Sequence, residues 1–418
     1  MPKVTPFRCI RPKQEAAELV AALPYDVYNR KEACAVVAAN PLSFLAIDRA
    51  ETQFADTVDT YAPQVYQKAK ELLHNRMQDG TFLIEETPCY YIYELTMGGH
   101  TQTGIVGCSS IEDYENGIIK KHENTREDKE IDRIHHVDVT NTHTGPIFLV
   151  YRAQTAIDQL VNDRKHAPAL YDFLAGDGIC HRVWIIDQTS DIRLLEQAFA
   201  QISCTYIADG HHRLASAVRV GQRRRAANPN HTGQEEYNRF LSVLFPENQM
   251  YIMPYNRVVR DLNGLTRDAF LERIEQAGFQ ISYQNRTQVL PTAKGTFGMC
   301  LAAGWYLLTA RKTLFSLDPV KRLDVSILQD HLLAPILDIG DPRTDKRIDF
   351  VGGIRGLSEL EKRISEDMRV GFSLYPTSIE ELLQVADAGL LMPPKSTWFE
   401  PKLRSGLFLH SLDDAPIK

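Results

Sequence analysis

From Cys89 to Ile111 the chain reads CYYIYELTMGGHTQTGIVGCSSI, two β-favouring runs on either side of Gly98-Gly99. Two such runs joined by a glycine pair form a hairpin. Further strand-like runs follow at PIFLVYR, HRVWIID, TYIA and FLSVLF (Phe240–Phe245). Helical patterns lie around them. YAPQVYQKAKELLHNRMQDG puts Val65, Ala69, Leu72 and Leu73 on one face, with Gly80 past its end. EAAELVAAL and KEACAVVAAN read as shorter helices, the second stopped at Asn40-Pro41. Strands and helices mix without regular strand–helix–strand alternation, so the expected fold class is α+β with a mixed sheet.

Beyond about residue 260 the texture changes. TRDAFLERIEQAGF predicts a helix with Phe270, Ile274 and Phe279 as apolar contacts. TFGMCLAAGWYLLTAR predicts a hairpin turning near Gly304, and DVSILQDHLLAPILDIG and SIEELLQVADAG predict helices. Two regions are expected, a core over 1–260 and a C-terminal α+β extension over 261–418. RRRAANPNHTGQEEYN is expected to be a surface loop. MPPKSTWFEPKLRSG, Met392 to Gly406, is polar and aperiodic, but Trp398 and Phe399 are not expected to stand in solvent. The tail is therefore expected to dock back on the core.

Composition narrows the function classes. In 418 residues, 44% are hydrophobic and 24% charged, which suits a soluble globular protein with a sizeable core. The net charge of −7 disfavours general nucleic-acid binding. The seven cysteines are scattered with no C-x-x-C pair, which excludes zinc ribbons and fits a reducing compartment. No apolar run approaches 18 residues and no signal-peptide core is seen, so a cytoplasmic protein without membrane association is expected. P-loop, protein-kinase, dinucleotide-binding and serine-hydrolase motifs are all missing.

The stretch TYIADGHHRLASAVR, Thr205 to Arg219, carries the clearest chemistry. Thr205 to Ala208 favour a strand, Asp209-Gly210 a tight turn, and the residues from His211 onward a helix. A helix N-terminus offers free N–H groups and the positive dipole end to an anion. Gly210 permits close approach, and His211, His212 and Arg213 add donors, so the pattern suits phosphate. Neighbouring histidines point about 100° apart, unlike the i, i+4 pair of zinc helices. Asp209 could hold Mg²⁺ together with phosphates. The competing reading is a capping aspartate with surface histidines.

A second constellation is KKHENTREDKEIDRIHHVDVTNTHTGP. Thr125 with Asp128 has the spacing of a capping box, and a helix is expected from about Arg126 to Val139 with Ile131 and Ile134 inward. Its charges are expected to form a solvated, ion-paired face. Before it, Lys121, His122 and Glu123 offer a carboxylate beside cations, a candidate general base. In LPYDVYNR, Asp26 between two tyrosines is a weaker candidate.

Taken in order, PYDVY, NPLSFLAI, KKHENTREDKEIDR, TNTHTGPIFLVY, ADGHHR and LLMPPKSTWFEPKL resemble a bacterial and archaeal family long filed as a domain of unknown function. Some of its members are ATP-dependent free L-serine kinases. ADGHHR is also similar to the phosphate motif of the ParB/sulfiredoxin superfamily. The resemblance spans roughly residues 6 to 410. It implies a ParB/sulfiredoxin-like catalytic core and a small-molecule kinase making O-phosphoserine from L-serine with ATP (or ADP) and Mg²⁺. Gly210, His211, His212 and Arg213 would then bind the nucleotide, with Asp209 and His212 catalytic and Asp209 on the metal. Glu123 would be the base, and Asp26, Lys121, His122, Thr125 and Arg126 would bind substrate. A non-catalytic nucleotide switch, or transfer or hydrolysis on another small molecule, are the alternatives. Two departures bear on substrate preference: Asn256, where a histidine commonly precedes the arginine, and Leu214, where an aromatic is common.

Overall fold

The hairpin forms as its glycines dictate: Tyr90–Met97 pairs antiparallel with His100–Ser110, and Gly98 and Gly99 turn with φ of 55° and 85°. It lies within a nine-stranded sheet of the computed structural model, which describes residues 1–125 and 127–413 apart from the side chains of Asp128 and Lys129. The chain forms two units. The first comprises 1–121, 125–250 and 401–418, and the second 122–124 and 251–400.

In the first unit the large sheet runs Ile119–Lys120, Thr205–Asp209, Ile147–Tyr151, Arg239–Pro246, His100–Ser110, Tyr90–Met97, Cys180–Ile186 and Tyr171–Leu174, with Val4–Thr5 paired to His100–Ser110. Thr205–Asp209 is parallel to Ile119–Lys120, and Arg239–Pro246 to Ile147–Tyr151; the other pairs are antiparallel. The sheet is therefore mixed and the fold α+β, as expected. Its core gathers Ile92, Ile105, Leu149, Ile207, Leu214 and Leu244. A four-stranded antiparallel sheet sets Leu409–Ser411 between Cys9–Pro12 and Thr142–His143, with Phe82–Ile84 at its edge. Helix Pro63–Gln78 buries Val65, Ala69 and Leu73 against the Phe44–Ile47 turn.

Helix Glu127–Thr140 departs from the sequence reading. Ile134 is buried, but Ile131 is 45% exposed. At about 100° per residue, Glu130, Arg133, Ile134 and Val137 share one stripe at i, i+3, i+4 and i+7, and Ile131 falls outside it. The stripe faces inward with Glu130 and Arg133 on it, and Asp132 and His136, which lie off it, are buried as well, so these charges do not form a solvated face. Partners compensate them: Arg219 reaches Glu130 at 3.1 Å, and Tyr66 donates to Asp132 at 3.0 Å. Helix His211–Ala227 absorbs the arginines of the expected surface loop, which starts only at Asn228.

In the second unit, six antiparallel strands run Phe279–Tyr283, Gly304–Ala310, Thr296–Leu301, Val370–Leu374, Tyr255–Val259 and Ile348–Gly352. Gly304 turns the expected hairpin with φ 130°. Phe279 opens a strand after Gly278 instead of joining helix Arg267–Gln276. Residues 324–337 stay helical but widen to a π turn at Gln329–Leu333, ahead of Pro335, which has no N–H to donate. Trp398–Glu400 pairs with Tyr251–Met253, burying Phe399. No helix among the described residues is long and apolar enough to cross a membrane.

Candidate functional site

The strand, turn and helix read from TYIADGHHRLASAVR all form. Thr205–Asp209 runs antiparallel to Ile147–Tyr151, and the register slips after Ile207: Ile207 faces Leu149, while Asp209 faces Phe148. Ala208 is thus an extra residue. Such a bulge bends the strand and re-aims the next side chain, here the Asp209 carboxylate. Gly210 takes φ 92° and ψ 27°, a left-handed conformation open to glycine. Helix His211–Ala227 begins at once, with Gly210, which has no side chain to cap with, at its N-cap. The amides and dipole of a helix start favour an anion.

Charge is concentrated at this turn. Asp209 Oδ2 lies 3.5 Å from Lys402 Nζ and 3.7 Å from Arg213 Nη2. Burial opposes its ionisation, but Lys402, Arg213, His211 and the Gly210 amide outweigh burial and hold the carboxyl well below the usual carboxylate range. Arg213 Nη1 donates to the Pro146 carbonyl at 2.7 Å. Its guanidinium passes between two glycines: a Cβ on Gly145 would stand 3.2 Å from Nη1, and one on Gly210 3.1 Å from Nε and Nη2. One carboxylate stands here beside two permanent cations, Arg213 and Lys402.

Asp209 is the carboxylate at this turn that would hold magnesium as a single protein ligand. Bound there with the substrate phosphates, the ion would neutralise them.

Beyond Arg213 and Gly145, a small cavity is lined by Tyr25, Asp48, Arg133, His136, His143 and Thr144, among others. The Arg133 guanidinium lies 4.0 Å from the Tyr25 ring centroid and 2.9 Å from Asp132. Thr144 Oγ1 donates to Asp48 at 2.8 Å. Sequence reading misses these residues because it assigns the helix charges to solvent. The available signal is the stripe of Ile134 and Val137, which Arg133 shares. Lys402 is missed as well, for want of any local pattern.

Asp26 is exposed on a turn, whereas its neighbour Tyr25 is buried. Lys121 and Thr125 belong to the first unit, and Thr125 Oγ1 donates to Glu130. His122 and Glu123 belong to the second unit, where the His122 carbonyl accepts from the Met392 amide at 2.8 Å. Arg126 lies outside the described residues, as does the Asp128 side chain of the expected capping box. Leu214 is fully buried in the core rather than facing a ligand. In the second unit, Asn256 is buried and its Oδ1 accepts from the Leu374 amide at 3.1 Å.

A family model described as "Protein of unknown function (DUF1015)" matches residues 4–326. No curated protein matches the sequence. Solved structures with some likeness include a free serine kinase in complex with AMP, at 12% identity and TM-score 0.33, covering 73% of this chain and 92% of that one. Another is a C-terminally truncated SbnI from Staphylococcus aureus, at 12% identity and TM-score 0.41, covering 75% and 90%. A third is a conserved hypothetical protein from Pyrococcus furiosus, at 13% identity and TM-score 0.35, covering 74% and 95%.

Proposed function

The chain belongs to the DUF1015 family, and from that premise we propose that it is a phosphotransferase that passes the terminal phosphoryl group of ATP to the hydroxyl of a small molecule, free L-serine in the first instance. The observation that carries this reading is the Asp209–Arg213 turn: a helix N-terminus opening on Gly210, with Arg213 and Lys402 gathered beside Asp209. Phosphoryl transfer asks a protein mainly for positioning and for positive charge around the moving group. The helix amides and Arg213 hold the phosphates, and His211 and His212 add donors. Asp209 would hold magnesium, which would supply charge neutralisation to the phosphates. Glu123 takes the proton of the attacking hydroxyl, a role that rests on the family resemblance. Lys121, His122, Thr125, Arg126 and Asp26 are the candidates for contact with the acceptor.

The test is product formation from ATP, Mg²⁺ and L-serine, followed by ³¹P NMR, with other small alcohols in parallel. Phosphoserine should accumulate, and Glu123→Gln and Asp209→Asn should each lower kcat roughly 100-fold or more. If the folded protein leaves every acceptor untouched yet gains thermal stability from nucleotide, the non-catalytic switch replaces this reading.

A further inference from the structure

In the second unit, strand Tyr255–Val259 carries Arg257, which is only 3% exposed. A guanidinium has five N–H donors and no acceptor. Arg257 uses one on the Tyr255 carbonyl and another, at 3.0 Å, on the Lys395 carbonyl. The remaining three have no acceptor among the described residues. The guanidinium carbon lies 5.4 Å from the Phe350 ring centroid. Carbonyls and a ring carry no net charge, so the cation stays uncancelled. Burial lowers its pKa to about 10; Tyr255 alone opposes that shift, and no carboxylate among the described residues does. A buried cation with only neutral partners is costly unless an anion joins it.

The guanidinium lies close beneath the surface. Tyr255, Phe350 and Trp398 around it are partly exposed, and Lys395 is exposed. Trp398 meets the Tyr255 ring edge-on with centroids 5.0 Å apart, and Lys395 Nζ lies 5.5 Å from the centre of that ring. A second cation therefore adds to the positive field there. Lys395 also takes φ 58°, a left-handed conformation that a residue with a side chain adopts only when its surroundings hold it. A carboxylate matches what Arg257 has left, since it brings one negative charge and two acceptor oxygens to a planar fork.

We propose that Arg257 binds the carboxylate of a small-molecule ligand, at a site bordered by Tyr255, Phe350, Lys395 and Trp398. Calling that ligand the phosphoryl acceptor rests on the function proposed above, and makes the acceptor a hydroxy acid rather than a plain alcohol. The carboxylate site itself stands on the uncompensated arginine.

Isothermal titration of the full chain with L-serine, 3-hydroxypropanoate, ethanolamine and AMP tests it. Serine and 3-hydroxypropanoate should bind roughly tenfold or more tightly than ethanolamine, which is serine without its carboxylate. Arg257→Met should weaken both acids by a similar factor and leave AMP affinity unchanged. Arg257→Lys, which keeps the charge but loses the fork, provides a second variant with the same expected loss if melting shows that the first does not fold. Ethanolamine binding as tightly as serine, no binding of either acid, or a loss confined to AMP overturns the inference. Carboxylate binding without phosphoryl transfer keeps it and removes the kinase; phosphorylation of ethanolamine and serine alike, unaltered by Arg257→Met, does the reverse.

Discussion

Lys402 Nζ stands 3.5 Å from Asp209 Oδ2, although one residue ends a central strand and the other lies in the last stretch of the chain. The lysine is only 15% exposed at its side chain. It supplies the largest of the attractions that keep Asp209 ionised against burial. Lys402→Met should weaken nucleotide binding roughly tenfold, the size of one charge-assisted contact, as read by titration with a non-hydrolysable ATP analogue. Unchanged affinity would remove Lys402 from the site. Because the folded Asp209 value is depressed, its stabilising ionisation is complete above the unfolded pKa and fades only as pH falls toward the folded one. An acid limb in an activity profile between pH 5 and 7 should therefore survive in Asp209→Glu and belong to another group.

Gly210 is held in the left-handed region at φ 92°, with the Arg213 guanidinium against it. Gly210→Ala adds a backbone penalty of about 1–2 kcal/mol and pushes Arg213 from its place. Stability should fall by about that amount in urea unfolding, and nucleotide affinity should fall further than in Arg213→Lys. A variant with full stability and full affinity would mean that the turn is not what positions the arginine.

In the second unit, Asp324 is buried, and both its oxygens accept from the Gly295 amide at 3.0 Å. Burial raises its pKa to about 6, against the opposing pull of that amide and Lys294. A raised folded value means that the group's contribution is full below its unfolded pKa and is lost as pH rises through 6. Asp324→Asn should therefore gain about 1–3 kcal/mol at pH 7 and flatten the wild-type decline between pH 4 and 7. Equal destabilisation at both ends of that range would refute the assignment.

All seven cysteines are free; five are buried, and Cys34 and Cys180 are partly exposed. Burial pushes the Cys89 and Cys300 thiols up to about 11 and about 12. Ellman's reagent should titrate at most two thiols in the native protein and seven in guanidinium. Rapid native reaction of a Cys34→Ser, Cys180→Ser double variant would contradict the buried positions.

Local patterns carried much of the fold into view. Gly98-Gly99, Gly304 and Asp209-Gly210 each turn where a glycine with positive φ is needed; the runs flanking the first two pair as strands, and the third passes from strand to helix. What stayed hidden depended on distance along the chain or on the reading of charge. Arg133 looks like a surface residue until Ile134 and Val137 are allowed to define the buried stripe, and His136 is buried although it lies off that stripe. Lys402 could be joined to Asp209 only by the return of the chain after residue 400. The bulge at Ala208 leaves no mark in composition, since it exists only in the pairing with Ile147–Tyr151.

Leu409–Ser411 completes the small sheet between Cys9–Pro12 and Thr142–His143. During translation, this seat stays empty until the second unit has been made. At about 5–20 residues per second, the gap between the first strand and its partner lasts roughly 20–80 s. Over that interval the edges of Cys9–Pro12 and Thr142–His143 lie open, and Asp209 lacks Lys402. A nascent chain stalled before residue 400 should therefore be captured by chaperones and bind nucleotide at least as weakly as Lys402→Met.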